Sequence, residues 1–343
     1  MSRGVTVAVD ANGADLGPAE VAAGAAIAAA QGVRILLFGP ADQLGAPPSG
    51  VEIVDAPVSV AKHADPARAV RAHRDASVVQ AAMAVAEGRA DAFVSGGSTG
   101  AALAAGLFNV KRGRGIHRPA LAIPVPVPSH PVTFLDVGAN TEVRAEHLVQ
   151  FAFMGAALSN VVLGVAHPRV GLLSNGEEPT RGTGLVQEVH ARLAAVDGLT
   201  WVGNVEGTDL TSGKADVIVT DGFTGNIALK ALEGASQATL GAVRAAATSS
   251  VRAKLGGLLL KPALQAFRDE VDPENAGGAY LLGLRHLGVV PHGRFSRYGF
   301  SQAILLAARG VAGDVVGRTH AALEAAGALR PAGQASDASP SVA

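Results

Sequence analysis

Residues 216–234 read DVIVTDGFTGNIALKALEG. The stretch divides into a short apolar strand, DVIVT, a glycine-rich polar loop, DGFTGN, and a helical pattern, IALKALEG. The same unit returns along the chain without a fixed sequence period. VTVAVD leads into ANGADLGP and AEVAAGAAIAAA, ILLFG follows, and DAFV leads into SGGSTG and AALAAGLF. VTFLDV leads into GANTEV and a helix around HLVQFAFMGAAL, and VGLLS into NGEEPTRGTG and LVQEVHARL. WVGNV leads into EGTDL, and LGVV into PHGRFSRYG and a last helix. This alternation predicts a mostly parallel sheet with helices on both faces. Loops after the strands then gather along one sheet edge, where such folds bind ligands. From Thr248 to Asn275 a long helical stretch breaks the rhythm, and PAGQASDASPSVA, residues 331–343, reads as a disordered tail.

Composition removes several classes of function. A chain of 343 residues, 48% hydrophobic and 17% charged, is long enough for one large α/β domain or two coupled ones. Its 28 Lys and Arg against 29 Asp and Glu leave no global electrostatic footprint for nucleic acid, so an acidic partner must be met by a local patch. Cysteine is absent, which excludes thiol catalysis, disulfides and Cys-ligated metal. The opening MSRGVTVAVD reaches an acidic strand end too early for a signal peptide, and AAGAAIAAA is too short to span a bilayer. The expected location is the cytoplasm.

The loops share a chemistry. Ser98, Thr99, Asn140, Thr183, Asn204, Thr224 and Asn226 supply hydroxyls and amides, and the glycines around them let backbone N–H groups approach a ligand. Loops that open into helix N-termini favour anions, so a phosphate-bearing ligand is expected. Neither G-x-G-x-x-G nor the P-loop pattern occurs. The bland alternative is that these residues cap helices and make turns. In GGSTG, residues 96–100, the spacing matches the nucleophile elbow of a serine hydrolase, with Ser98, Asp221 and His292 in hydrolase order. No HGGG-type oxyanion loop precedes it.

Taken in order, FVSGGSTGAA, LDVGANTEV with EHLVQFAFMG, GLLSNGEEPTRGTGLV, VGNVEG, DVIVTDGFTGNIALKALEG, and LLLKPAL before GGAYLLG resemble the bacterial phosphate acyltransferase family PlsX. The likeness runs from Val5 to about Gly310, with VAVDANGADLGP similar to that family's first strand and loop. It implies a three-layer α/β/α fold with a mostly parallel, doubly wound sheet of the isocitrate/isopropylmalate dehydrogenase kind, one domain over residues 1–330 with a helical excursion at about 248–275. It also implies transfer of a fatty acyl group from acyl carrier protein to inorganic phosphate for phospholipid synthesis, a homodimer, and no metal or cofactor.

Of the groups available, Arg181, Asp221, Asn226 and His292 are expected in catalysis. Asp10, Gly97, Ser98, Thr99, Gly100, Asp136, Asn140, Gly176, Glu177, Asn204, Glu206, Gly222, Thr224 and Lys230 are expected to bind substrate. Arg181, Lys230 and the DGFTGN amides suit phosphate, Asn226 or Asn204 suits the thioester oxyanion, Asp221 suits orientation of phosphate, and His292 suits protonation of the leaving thiolate. Glu177 and Glu178 either hold Arg181 in place or form a solvated pair opening a helix. The chain departs from the family pattern at Ser98 for Asn, Arg181 for Lys, Thr208 for Arg and Arg294 for a small hydroxyl residue. An Arg keeps the charge of a Lys but cannot donate a proton near neutral pH. A catalytically impaired acyl- or carrier-binding member is therefore the alternative, with the serine hydrolase behind it.

Two patches suggest partners. KRGRGIHR, residues 111–118, holds five cationic or titratable groups in eight residues and suits the acidic surface of an acyl carrier protein. In VRAKLGGLLLKPALQAFRDEV, residues 251–271, Leu255, Leu258, Leu259, Leu264 and Phe267 lie among Arg252, Lys254, Lys261 and Arg268. That composition fits a peripheral membrane helix or an apolar dimer face, with Gly256, Gly257 and Pro262 expected to interrupt it.

Overall fold

The computed structural model describes residues 4–128 and 130–331. Apart from Pro331, the expected tail lies outside the described residues. One sheet of eleven strands organises the chain: β1 (Thr6–Asp10), β2 (Arg34–Gly39), β3 (Val51–Asp55), β4 (Ala92–Ser95), β5 (Ala120–Val125), β6 (Val132–Leu135), β7 (Arg169–Leu173), β8 (Thr200–Val205), β9 (Val217–Val219), β10 (Ala279–Leu282) and β11 (Leu287–Val290). Their order is β3-β2-β1-β4-β11-β10-β5-β6-β9-β7-β8. Every residue of β1, β4, β6, β9, β10 and β11 is buried, as expected of strands covered on both faces. One face packs the helices Pro18–Ala29, Ala145–Leu158, Gly184–Ala195 and Arg297–Ala312, and the other packs Ser77–Ala86 and Thr99–Ala105. The three-layer α/β/α expectation holds.

The expectation of one ligand-binding edge does not hold. β3, β2, β1, β4 and β11 run parallel, β10 is antiparallel to β11, β5 to β10, and β6 to β5, after which β9, β7 and β8 run parallel to β6. The two parallel halves therefore point in opposite directions. Carboxyl ends of β1, β4 and β11 lie on a first edge, and those of β6, β7, β8 and β9 on a second. The reversal rests on β5 and β10, both missing from the sequence reading together with β3. β5, ALAIPV, carries Pro124 in its interior, a residue that argues against a central strand, yet Pro124 pairs with Thr133 of β6. β10 has only four residues between glycine pairs and loops.

The helical excursion begins earlier than expected. A helix of 27 residues, Gly222–Thr248, starts on the second edge, and Val251–Glu270 folds back on it. Ser250 caps the return, its Oγ accepting from Ala253 N at 3.1 Å. Pro262 and the glycines do not interrupt the second helix, in which no residue is buried. The helix Ala145–Leu158 with its extension to Leu163 has the length and apolarity to cross a membrane, but 61% of that span is buried in the protein core.

At the start of the long helix, a Cβ on Gly225 would stand 1.8 Å from the carbonyl oxygen of Asp136. Only glycine fits this joint between the helix and the loop after β6. Gly225→Ala is expected to destabilise the protein by about 3 kcal/mol or more, through overpacking against backbone that cannot give. Denaturant unfolding of the variant measures it, and a loss below about 1 kcal/mol would show that the joint relaxes.

Candidate active site

The first edge opens into a cleft of about 640 Å³. Its floor is Leu121 and Ile123 of β5 with Val137, and one wall is Asn226, Leu229, Lys230 and Glu233 of the long helix. Gly96–Thr99 after β4 and Pro291–Phe295 after β11 close the far end, beside Lys62 and Asp15. One end is thus polar, with Lys62, Lys230 and Arg294 set among the carboxylates of Asp15, Glu233, Asp272 and Glu274, and the floor is apolar.

The loop after β4 is set from beneath. Asp10 is buried and accepts from Ser95 Oγ at 2.7 Å and from Asn12 N at 3.0 Å. Burial pushes its carboxyl up from the ordinary value, opposed by hydrogen bonds from Ser77, Ser95 and Asn12. Asp10 lines neither large cavity; its hydrogen bonds are internal and it positions the loop. Ser98 is the N-cap of Thr99–Ala105, its Oγ accepting from Ala101 N at 3.1 Å. The helix start therefore faces the cleft with its hydroxyls and amides. Gly100 lies inside that first turn and away from the cleft wall.

His292 stands exposed over the same end, stacked 6.2 Å from buried Phe295, with Nδ1 accepting from Arg294 N at 3.3 Å. That bond leaves the proton on Nε2. Partial burial lowers its pKa, and Arg294 and Lys230 lower it further, so the ring is neutral at pH 7. A neutral imidazole donates a hydrogen bond well but is a poor acid, which weighs against the expected protonation of a thiolate.

A second cavity, of about 570 Å³, flanks the other side of the long helix at the second edge. Asp221 and Thr224 line it with Ser174, Asn175 and Thr183, whereas Asn226 and Lys230 face the first cleft. Helical spacing explains the division, because residues two apart point to opposite sides. Asp221 is the N-cap of the long helix, Oδ1 accepting from Thr224 N at 2.8 Å, and Thr183 caps Gly184–Ala195. Ser98 and His292 share the first cleft, but Asp221 lies beyond the helix and the Ser98 hydroxyl serves as a cap. The hydrolase triad is not assembled.

Several expected site residues are scaffolding. Asp136 is fully buried and accepts from the backbone N–H groups of Leu121, Gly138, Ala139 and Asn140, and from Asn140 Nδ2. Burial raises its pKa, and these donors oppose the rise. Asn140 also donates to Pro119 O at 2.7 Å, and Gly222 packs under the Asn140 backbone. Asn204, also buried, donates to Glu178 O at 2.9 Å and meets His190 Nδ1 at 3.0 Å, which fixes the loop after β7. Asp136, Asn140 and Asn204 line neither cavity, and their polar atoms are engaged by neighbouring backbone and side chains.

Glu206 caps the short turn Gly207–Leu210, which carries Thr208 exposed. Glu177 pairs with Lys214 at 2.7 Å, not with Arg181. Exposed Arg181 packs over Gly176 and pairs with Glu178 at 3.2 Å, lining neither cavity. The structure thus brings together Gly97, Ser98, Thr99, Asn226, Lys230 and His292, but not the expected Arg181 and Lys230 pair. Sequence reasoning missed Lys62, Asp15 and Glu233 on the first cleft and Ser174 and Asn175 on the second. Lys62 follows β3, a strand that was not recognised, so its loop had no place in the pattern.

Fold and site define a ligand-binding α/β protein whose cleft joins a polar end, where a helix N-terminus and lysines stand, to an apolar floor. Residues 5–318 match the family described as "Fatty acid synthesis protein". The chain is 44% identical to a phosphate acyltransferase of Streptococcus equi subsp. zooepidemicus, covering 84% of this chain and 88% of that protein. It is 42% identical to a phosphate acyltransferase of Geobacillus thermodenitrificans over 93% and 99% of the two chains. The fold resembles EutD phosphotransacetylase from Staphylococcus aureus, TM-score 0.58 at 19% identity over 90% and 94% of the chains. A phosphotransacetylase from Streptococcus pyogenes gives 0.59 at 17% over 91% and 95%. The chain belongs to the fatty acid synthesis protein family, the PlsX phosphate acyltransferases, as its motifs indicated.

The charges over His292 can be read directly. Its NMR titration midpoint is expected below 6.5, and Lys230→Met should raise it by removing a nearby cation. Because the folded pKa is depressed, this group's contribution to stability is full above the unfolded value and is lost as pH falls below about 6.5. A midpoint that stays put in Lys230→Met would show that the two groups do not interact.

Proposed function

We propose that the chain transfers a fatty acyl group from the thioester of acyl carrier protein to inorganic phosphate, giving acyl phosphate and free carrier for phospholipid synthesis. The observation that carries this reading is the first cleft, where an apolar floor of Leu121, Ile123 and Val137 runs up to a helix start flanked by Lys62 and Lys230. A phosphate oxygen attacks the thioester carbonyl carbon. The C–O bond forms, the C–S bond breaks with its electron pair on sulfur, and the phosphate proton passes to the thiolate. Phosphate is already a nucleophile, so no covalent enzyme intermediate is needed, and binding and orientation supply most of the acceleration. Lys62 and Lys230 balance phosphate charge, the amides at Gly97–Thr99 hold its oxygens, and Asn226 with the neutral His292 donates to the developing oxyanion.

The protruding hairpin supports a homodimer that also touches membrane from the cytoplasmic side. Val251 is 77% exposed and Leu259 83%, and Leu255, Leu258 and Leu260 are exposed beside them, while Arg252, Lys254 and Lys261 supply positive charge. Burying such side chains contributes about 1.5–3 kcal/mol each, and each basic residue adds about 1 kcal/mol at an anionic surface.

Purified protein given long-chain acyl carrier protein and inorganic phosphate is expected to release carrier thiol together with hydroxylamine-reactive acyl phosphate. Ser98→Ala should weaken binding without abolishing turnover. Thiol release at the same rate without phosphate would sink the reading, and stoichiometric labelling of Ser98 by a fluorophosphonate would favour the hydrolase. For the hairpin, Leu259→Glu is expected to lose co-sedimentation with anionic vesicles while light scattering still reports a dimer. A variant that becomes monomeric, beside a wild type that binds no vesicles at low salt, would make the stretch an interface only.

A further inference from the structure

We infer that the second edge carries the docking surface for the acidic carrier domain that delivers the acyl thioester, an inference that rests on the acyl-transfer reading above. The basic run at residues 111–118 is one part of a larger patch that the fold assembles from three segments. Arg285 N donates to Lys111 O at 3.0 Å, Gly113 N to Gly283 O at 2.9 Å, and Arg330 N to Gly115 O at 2.8 Å. Lys111, Arg114, Arg118, Arg285 and Arg330 are thereby brought to one edge, and residues 111–118, 283–286 and 326–331 contain no Asp or Glu. Lys111, Arg114 and Arg285 are exposed, and none of the five cations forms an ion pair among the described residues.

Two features separate this patch from an ordinary solvated loop. Gln150, 1% exposed, accepts from His117 N at 2.9 Å and donates to Gly115 O at 2.9 Å and Ala328 O at 2.8 Å, so one buried amide ties two of the segments together. Lys111 also sits at φ 70° and ψ 161°, a conformation that suits glycine and is strained for a lysine. A glycine would relieve that strain, yet the position holds a cation. β5 connects the patch to the cleft: Arg118 stands three residues before Leu121, which forms the cleft floor and binds Asp136 through its N–H. A carrier held at residues 111–118 and 285 by charge complementarity would stand at the amino end of β5, the strand that floors the cleft.

The experiment compares turnover of acyl carrier protein thioester with turnover of the same acyl group on free pantetheine. Arg114→Glu combined with Arg285→Glu is expected to raise KM for the carrier substrate about tenfold or more at low salt and leave acyl-pantetheine kinetics unchanged. High salt should raise the wild-type KM toward that of the variant. Lys111→Gly is expected to raise Tm and KM for the carrier together, an opposition that misfolding cannot produce. Equal losses on both thioesters, an unchanged carrier KM in the double variant, or loss of vesicle binding with carrier kinetics intact would each overturn the assignment. If the wild type turns over neither thioester, the acyl-transfer reading fails, and fluorescence anisotropy of labelled carrier against wild type and the double variant still decides the docking claim.

Discussion

A single buried carboxylate holds the joint on which the molecule turns. Asp136 follows β6 and gathers the N–H groups of Leu121, Gly138, Ala139 and Asn140 with the Asn140 amide. Asn140 in turn accepts from Gly222 N at 2.7 Å, and Gly225 presses on the Asp136 carbonyl. β5, the loop after β6 and the start of the long helix thus share one polar centre with no solvent around it. An unpaired carboxylate at this depth would be costly, but five N–H donors favour its charged form and fix three chain segments against each other. Removing either the donors or the charge leaves buried groups unmatched, which is why neighbouring positions tolerate glycine and little else.

That joint sits where the sheet changes direction, and the cleft follows from the change. In a doubly wound sheet of one polarity, the helix after β9 would cover its own half and end there. Here β5 and β10 turn the sheet over, so a helix that starts at the second edge reaches the loops of the first edge. Asn226 lies near the start of that path and Glu233 near its arrival beside His292. Opposite polarity of the halves is therefore the reason that a phosphate-favouring loop and an apolar floor face one helix across a single cleft.

The strand-loop-helix units of each half were legible because each carries its own local pattern, such as VTVAVD into a glycine loop and a helix. The reversal was not, since its evidence lies in pairing between segments distant in sequence and in a strand containing Pro124, which local rules argue against. The same limit governs the site. Ser98, Thr99, Asn226 and Lys230 were found because loops after strands attract ligands, but Asp10, Asp136 and Asn204 look identical in sequence to exposed ligands and are spent internally. Whether a polar side chain faces a cavity or a backbone amide depends on its neighbours in space. Asp221 and Asn226, five residues apart, fall on opposite sides of one helix only once that helix is placed.

Length then separates the exposed apolar hairpin from the basic patch. The long helix has already reached the first edge at Glu233, and its remaining residues to Thr248 extend about 20 Å further at 1.5 Å each. Val251, Leu255 and Leu259 follow the turn, so the most exposed apolar side chains lie along the first half of the returning helix. The basic patch lies at the opposite edge. A surface that carries net positive charge and one that carries apolar side chains would compete for an anionic bilayer if they were adjacent. Set at opposite edges of the sheet, they can be used at once, with β5 and the cleft it floors between them.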